Sequence, residues 1–198
     1  TIGDIGCTSF YPTKNLGAYG DAGAHFTNDE VLARKIHLIC NHGSDVKYYY
    51  DEIGVNSRLD TFQAAILKIK LKKLNEYSSA RQLAADEYDK RLQEIPEITI
   101  PYRAPHSTHV FHQYTIKVER LRDQLREYLV QQNIPVMIYY PVPLHVSKAY
   151  MKFGYQAGDF PVAEDCATQV LSLPMHSELD NEQISFICET IKDFFKKN

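Results

Sequence analysis

The feature that most constrains the fold is a helical pattern over roughly residues 58–93, the longest in the chain. Leu59, Phe62, Ile66 and Ile69 form one apolar stripe. Leu67, Leu71, Leu74 and Tyr77 form a second, continued by Ala84, Tyr88 and Leu92. Two stripes predict a helix packed on two sides, as at a junction between domains or subunits. Ser57-x-x-Asp60 is the capping-box signal that opens the pattern, and Ile95-Pro96 ends it.

Ahead of this helix the pattern is short and strand-like. Residues 7–11 and 22–27 read as two strands, joined by a loop from Pro12 to Gly23 that carries Gly17 and Gly20. Two short strands are marginal alone, so they are expected to join a larger sheet whose other strands lie outside this chain. Thr27-x-x-Glu30 predicts the start of a helix with Leu32, Ala33, Ile36, Ile39 and Cys40 on one face, and Gly43 sits where it ends. Tyrosine-rich residues 44–55 read as a loop.

Beyond Pro96 the chain reads as a smaller α/β unit. Alternation through Val110, His112, Tyr114, Ile116 and Val118 predicts a strand over 109–118. Leu121, Leu125, Tyr128 and Leu129 predict a helix, and residues 136–140 a strand broken by Pro141. Helices are expected near 145–153 and 161–170, the latter with Pro161 in its first turn. Asp180-x-x-Gln183 caps a final helix.

Composition excludes several classes. The net charge is −3 over 198 residues, which gives no electrostatic footprint for nucleic acid or an anionic membrane. No apolar run approaches a membrane span, and no signal peptide is expected. Cys7, Cys40, Cys166 and Cys188 form no C-x-x-C pair and read as thiols in a reducing cytosol. His109 and His112 would face opposite sides of a strand over 109–118, so no metal site is expected there. The chain opens Thr1-Ile2-Gly3-Asp4, with no element leading in, and is expected to be entered partway.

The stretch Ser9-Phe-Tyr-Pro-Thr-Lys14-Asn-Leu-Gly17-Ala-Tyr-Gly20-Asp-Ala-Gly23 carries the chemistry. A lysine follows a strand directly, in a loop whose glycines let backbone approach a ligand closely. Ser9, five residues earlier, offers a hydroxyl to an anionic group on the same ligand. A partly desolvated lysine can lose its proton and attack a carbonyl, giving a Schiff base. The alternative is a solvated lysine in a glycine-rich turn. The spacing is neither G-x-G-x-x-G nor a P-loop.

This stretch resembles the cofactor-lysine segment of the DegT/DnrJ/EryC1/StrS family of pyridoxal-phosphate (PLP) dependent sugar aminotransferases. Further landmarks follow in order: Asn41-His42-Gly43, Lys47-Tyr48, Gly54-Val-Asn56-Ser-Arg58-Leu-Asp60, Gln63-Ala64-Ala65, His109-Val-Phe-His112-Gln-Tyr114, Tyr139-Tyr140-Pro141 with His145, and Leu171-Ser-Leu-Pro174. The resemblance covers nearly all of the chain. It implies an α/β fold, the carboxyl-terminal part of a fold-type I PLP-dependent transferase. Residues 1–57 would be part of the large PLP-binding domain, 58–94 a long linking helix and 95–198 the small α/β domain. Family members are roughly twice as long, and their preceding half supplies the phosphate turn, the ring-stacking aromatic and the aspartate on the pyridine nitrogen.

The resemblance also implies roles. Lys14 would be the catalytic, cofactor-binding lysine, since a histidine at this position marks dehydratases of the family. Ser9 would hydrogen-bond the cofactor phosphate, or else bond backbone as a strand serine. Asn56 would reach the phosphate of a neighbouring subunit's cofactor, its alternative, compatible with the first, being a helix-entry residue; the first makes a homodimer with shared sites the expected unit, and the expected compartment is cytoplasmic. Arg58, Tyr139 and His145 would bind the nucleotide sugar, their alternatives being a surface ion pair, a core position and a helix start. The expected reaction moves an amino group from a donor such as glutamate to a 3- or 4-keto sugar nucleotide, for amino-sugar and surface polysaccharide biosynthesis. A truncated relative that only binds a sugar nucleotide or a partner is the alternative.

Overall fold

A computed structural model describes residues 2–198. They form two compact units, one running to Asn75 and the other from Glu76 to Asn198.

In the first unit, β1 (Gly6–Ser9) and β2 (Gly23–Phe26) pair antiparallel, with Cys7 opposite His25 and Ser9 opposite Gly23. Helix α1 (Glu30–Cys40) is capped by Asp29, whose Oδ1 accepts from the amides of Val31 (2.8 Å) and Leu32 (3.1 Å). The box expected at Thr27 does not form. Asp29 is one residue from the helix and outcompetes it, while the Thr27 hydroxyl donates to the Asp4 carbonyl at 2.7 Å. No residue of α1 is buried, so its apolar face is not covered within this unit. Gly43 closes the helix end as expected: it takes φ +74°, and its amide donates to the Leu38 carbonyl at 2.7 Å.

The single long helix over 58–93, and with it the linking helix over 58–94, is corrected. There are two helices, α2 (Thr61–Leu71) and α3 (Leu74–Leu92). Between them the amides of Lys72 and Lys73 bond the carbonyls three residues back, Ile69 and Lys70, and the tightened turn ends the i→i−4 ladder. Asp60 flanks α2 in extended geometry without a side-chain cap, so the box opened by Ser57 is also not made.

The second unit holds the core. Strands β3 (Ile98–Thr99), β4 (Tyr114–Val118) and β5 (Val170–Leu173) form an antiparallel sheet in that order. Alternate β4 residues Tyr114, Ile116 and Val118 are buried. They pack in one cluster with Ala85, Tyr88 and Leu92 of α3, with Leu125 and Leu129 of α4 (Arg122–Gln131), and with Ile184, Ile187 and Ile191 of α6 (Asn181–Lys197). Tyr88 and Tyr114 stack with centroids 4.7 Å apart. The capping box at Asp180 and Gln183 is present in both directions. Helix α5 (Pro161–Gln169) begins on proline.

Strand β4 is shorter than the predicted 109–118. Phe111 takes φ +43°, and its amide turns back to His109 Nδ1 at 2.9 Å. The opposite-faces argument for His109 and His112 therefore lapses, although no cluster of three metal-ligating side chains occurs among the described residues. Residues 136–140 reduce to one bridge, Met137 to Ser172, flanked by Pro135 and by Tyr140 at φ +55°. The helix near 145–153 is two short 3₁₀ turns, Leu144–Val146 and Met151–Phe153. All four cysteines are free thiols. Cys188 is fully buried, and burial pushes its thiol up to about 12. No helix of the described residues is long and apolar enough to cross a membrane.

Candidate active site

Lys14 sits on the loop between β1 and β2. The Phe10 amide donates to Ala22 O (2.8 Å), the Ala18 amide to Phe10 O (2.7 Å) and the Lys14 amide to Tyr11 O (2.8 Å), so backbone bonds close the loop at its base and first turn. At Gly17 an added Cβ would lie 2.3 Å from the Pro12 carbonyl, which no side chain could accept. Gly17 and Ala18 are buried and Lys14 is half-buried. Among the described residues the Lys14 ammonium has no hydrogen-bond or ion-pair partner. A half-buried amine without a partner, on a loop held by other atoms, is suited to a carbonyl ligand.

Ser9 ends β1, exposed, and its Oγ accepts from the Tyr11 amide at 3.2 Å. Asn56 and Arg58 are both exposed and joined by a bond from Arg58 Nε to Asn56 Oδ1 at 3.1 Å. Arg58 lines a cleft of about 790 Å³ with Phe26, Ile36, His37 and Cys40, and Lys14 is not among its walls. Arg58 is in no ion pair with an acid among the described residues, so its surface ion-pair alternative is not realised.

Tyr139 and His145 belong to the second unit and share an apolar cleft of about 550 Å³ with Leu144, Phe160 and Cys166. Tyr139 is 43% exposed, so it is not a core residue. The His145 side chain is 9% exposed. Its ring lies edge-on to Phe160, and its Nε2 is 2.9 Å from Glu164 Oε1. His145 is thus a packing residue of this corner as well as a wall of the cleft.

Glu164 is a residue that sequence reasoning missed. Its carboxylate accepts the Gly158 amide (2.8 and 3.0 Å) as well as meeting His145. The Gly158 bond first, and the His145 bond second, hold its pKa below the usual carboxylate range. A lowered folded-state pKa contributes order that is present above the ordinary range and lost as pH falls below it. Exchange of the Gly158 amide, corrected for its intrinsic pH dependence, is expected to rise on acidification. In Glu164→Gln it should be fast already at neutral pH. A parent profile that is flat down to the acid transition would contradict this.

Comparison with known proteins shows the family. Two curated relatives are the pleiotropic regulatory protein of Geobacillus stearothermophilus (44% identical, 98% of this chain and 54% of the relative) and the UDP-2-acetamido-2-deoxy-3-oxo-D-glucuronate aminotransferase of Pseudomonas aeruginosa (41%, 96% and 52%). Among solved structures, Streptomyces venezuelae DesV in complex with a ketimine intermediate superposes with TM-score 0.91 (40% identical, 97% of this chain and 52% of that one). NtdA of Bacillus subtilis with bound cofactor PMP superposes with TM-score 0.86 (31%, 98% and 46%). The fold of this chain is α/β, and its solved neighbours include a DegT DnrJ EryC1 StrS aminotransferase from Brucella abortus. The DegT/DnrJ/EryC1/StrS aminotransferase family model matches residues 1–192, and this chain belongs to that family. The chain spans about half the length of the curated relatives it matches.

Proposed function

We propose that this chain carries the lysine side of a PLP-dependent aminotransferase acting on a nucleotide-linked 3- or 4-keto sugar, with an amino acid such as glutamate as donor. The observation that carries the reading is Lys14: half-buried, without a partner among the described residues, on a glycine-folded loop. Relatives named as transaminases of UDP- and dTDP-linked sugars support the substrate class, and NtdA with PMP supports the cofactor.

Lys14 would anchor the cofactor and Ser9 would bond its phosphate. When bound, PLP supplies the electron sink for the amino-group transfer. Lys14 would move the proton between substrate carbon and cofactor as general base and acid. Arg58 would offer its planar fork to a diphosphate, and Tyr139 and His145 would line the nucleotide-sugar pocket. Asn56, exposed with its amide nitrogen available, would serve the cofactor phosphate of a second subunit in a homodimer. The four free thiols suit a reducing compartment, so we place the enzyme in the cytoplasm.

The test uses the full reading frame that encodes this chain, loaded with PLP. Borohydride is expected to bleach the visible band and leave one reduced label, on Lys14, and sedimentation is expected to give a dimer. Label on another lysine would end the reading.

A further inference from the structure

We infer that Gln63 and Lys70 are positioning residues that hold the Lys14 loop from helix α2, an inference that rests on the reading of Lys14 above. The loop's own backbone bonds secure its base and first turn. Its far side, Gly17 to Gly20, is held by the Ala18 amide on the Phe10 carbonyl and, on either side of that bond, by two side chains from one helix. Lys70 Nζ donates to the Gly17 carbonyl at 2.6 Å and lies 5.3 Å from the centroid of the Tyr19 ring. Gln63 Oε1 accepts the Tyr19 amide at 2.8 Å. Gln63 and Lys70 are seven residues apart, two helical turns, and so share a face. Leu67, between them on that face, is the one buried residue of α2.

The fit on this side is close. A Cβ on Gly20 would lie 2.9 Å from Gln63 Nε2, so the loop runs close against the amide, and a side chain there would have to displace it. A charged donor on one carbonyl and an amide acceptor on the next amide but one fix both the position and the plane of the Gly17–Tyr19 backbone. Gly17 is three residues from Lys14, and its buried backbone folds against Pro12 on the other side of the lysine. Freeing the Gly17–Tyr19 arm therefore lets the Lys14 backbone drift while leaving the amine present. Misplacement of a reacting group by about 1 Å costs on the order of a hundredfold in rate.

The test uses the PLP-loaded full-length protein and compares Lys70→Met, Gln63→Leu and Lys70→Arg with the parent. Both apolar variants keep helix-compatible side chains of similar length. Three quantities are read: the label site after borohydride, the pH midpoint of the cofactor's visible band, and kcat against KM for the amino donor. The expected result is label still on Lys14, a shifted midpoint and a fall in kcat of about tenfold to a hundredfold, with KM changed less than about threefold. Amide exchange at Tyr19 rises in Gln63→Leu, and Lys70→Arg, which keeps a charged donor, stays near the parent.

If Lys70→Met fails to fold, Gln63→Leu reads the same arm through its second tether. Midpoint and kcat within twofold of the parent in the apolar variants would overturn the positioning role and leave Lys14 intact. Parent protein labelled on a different lysine would instead remove the reading of Lys14, and this inference with it.

Discussion

On the proposed function, replacing Lys14 by alanine in the full-length protein is expected to lower transamination by about a thousandfold or more, because one side chain would both anchor the cofactor and move the proton. Lys14→Arg is expected to fall as far, since a guanidinium does not give up its proton at accessible pH. A small primary amine in the buffer should restore a fraction of the alanine variant's turnover and none of the arginine variant's. Folding stability of the cofactor-free protein should stay within about 0.5 kcal/mol of the parent, the range for substitutions that remove no partnered group, because the Lys14 ammonium has no partner among the described residues. Single-turnover kinetics and a thermal melt check the two halves separately. Alanine-variant turnover within tenfold of the parent would remove Lys14 from catalysis.

The second large effect concerns stability. Arg81, on α3, is 8% exposed, yet its Nη1 lies 3.0 Å from Phe111 O, 3.2 Å from His112 O and 3.1 Å from Met175 O. One terminal nitrogen, with two protons, serves three carbonyls from two distant segments. Burial lowers the pKa of the guanidinium, but from a value so high that the group stays charged at all working pH. No acid pairs with it among the described residues, so the carbonyl dipoles are its solvation. Arg81→Met keeps the volume of the stem and removes the donors, leaving three carbonyls to find water or go without. Bonds to a charged donor contribute about 1.5–3 kcal/mol each in favourable cases, and these three are coupled, so a loss of about 3 kcal/mol is expected rather than their sum. For a chain of this size that is on the order of 10 °C in the melting midpoint. Arg81→Lys, a single point donor, is expected to recover only part. A midpoint for Arg81→Met within 2 °C of the parent, at about 0.5 kcal/mol, would mean that water replaces the guanidinium at little cost.

Local rules with one dominant partner are legible in the sequence. The box at Asp180 and Gln183, proline at the head of α5 and the alternation that buries Tyr114, Ile116 and Val118 all rest on neighbours in sequence. Where two caps competed, at Thr27 and Asp29, pattern alone chose the weaker one. The turn at Phe111 and the break after Leu71 carry no glycine or proline, and periodicity ran straight through both. The site divides in the same way. Lys14 stands in a local stretch that can be read along the chain. Gln63 and Lys70 reach that loop from 44 and 53 residues away, and Arg81 meets its acceptors across 30 to 94. Gln63 belongs to the Gln63-Ala64-Ala65 landmark, but nothing in that landmark says what its amide holds. Glu164 showed no signal, because its partners are the amide of Gly158 and a histidine on a separate turn.

The loop at position 14 is built by everything except its own lysine side chain: backbone closures at its base, a glycine folded under Pro12, and two hands from a helix. On the proposed function, the residue at the tip could therefore be exchanged with the mount intact. A single codon change there would alter or abolish the proposed chemistry without disturbing the mount. In such a lineage divergence of reaction would outpace divergence of shape.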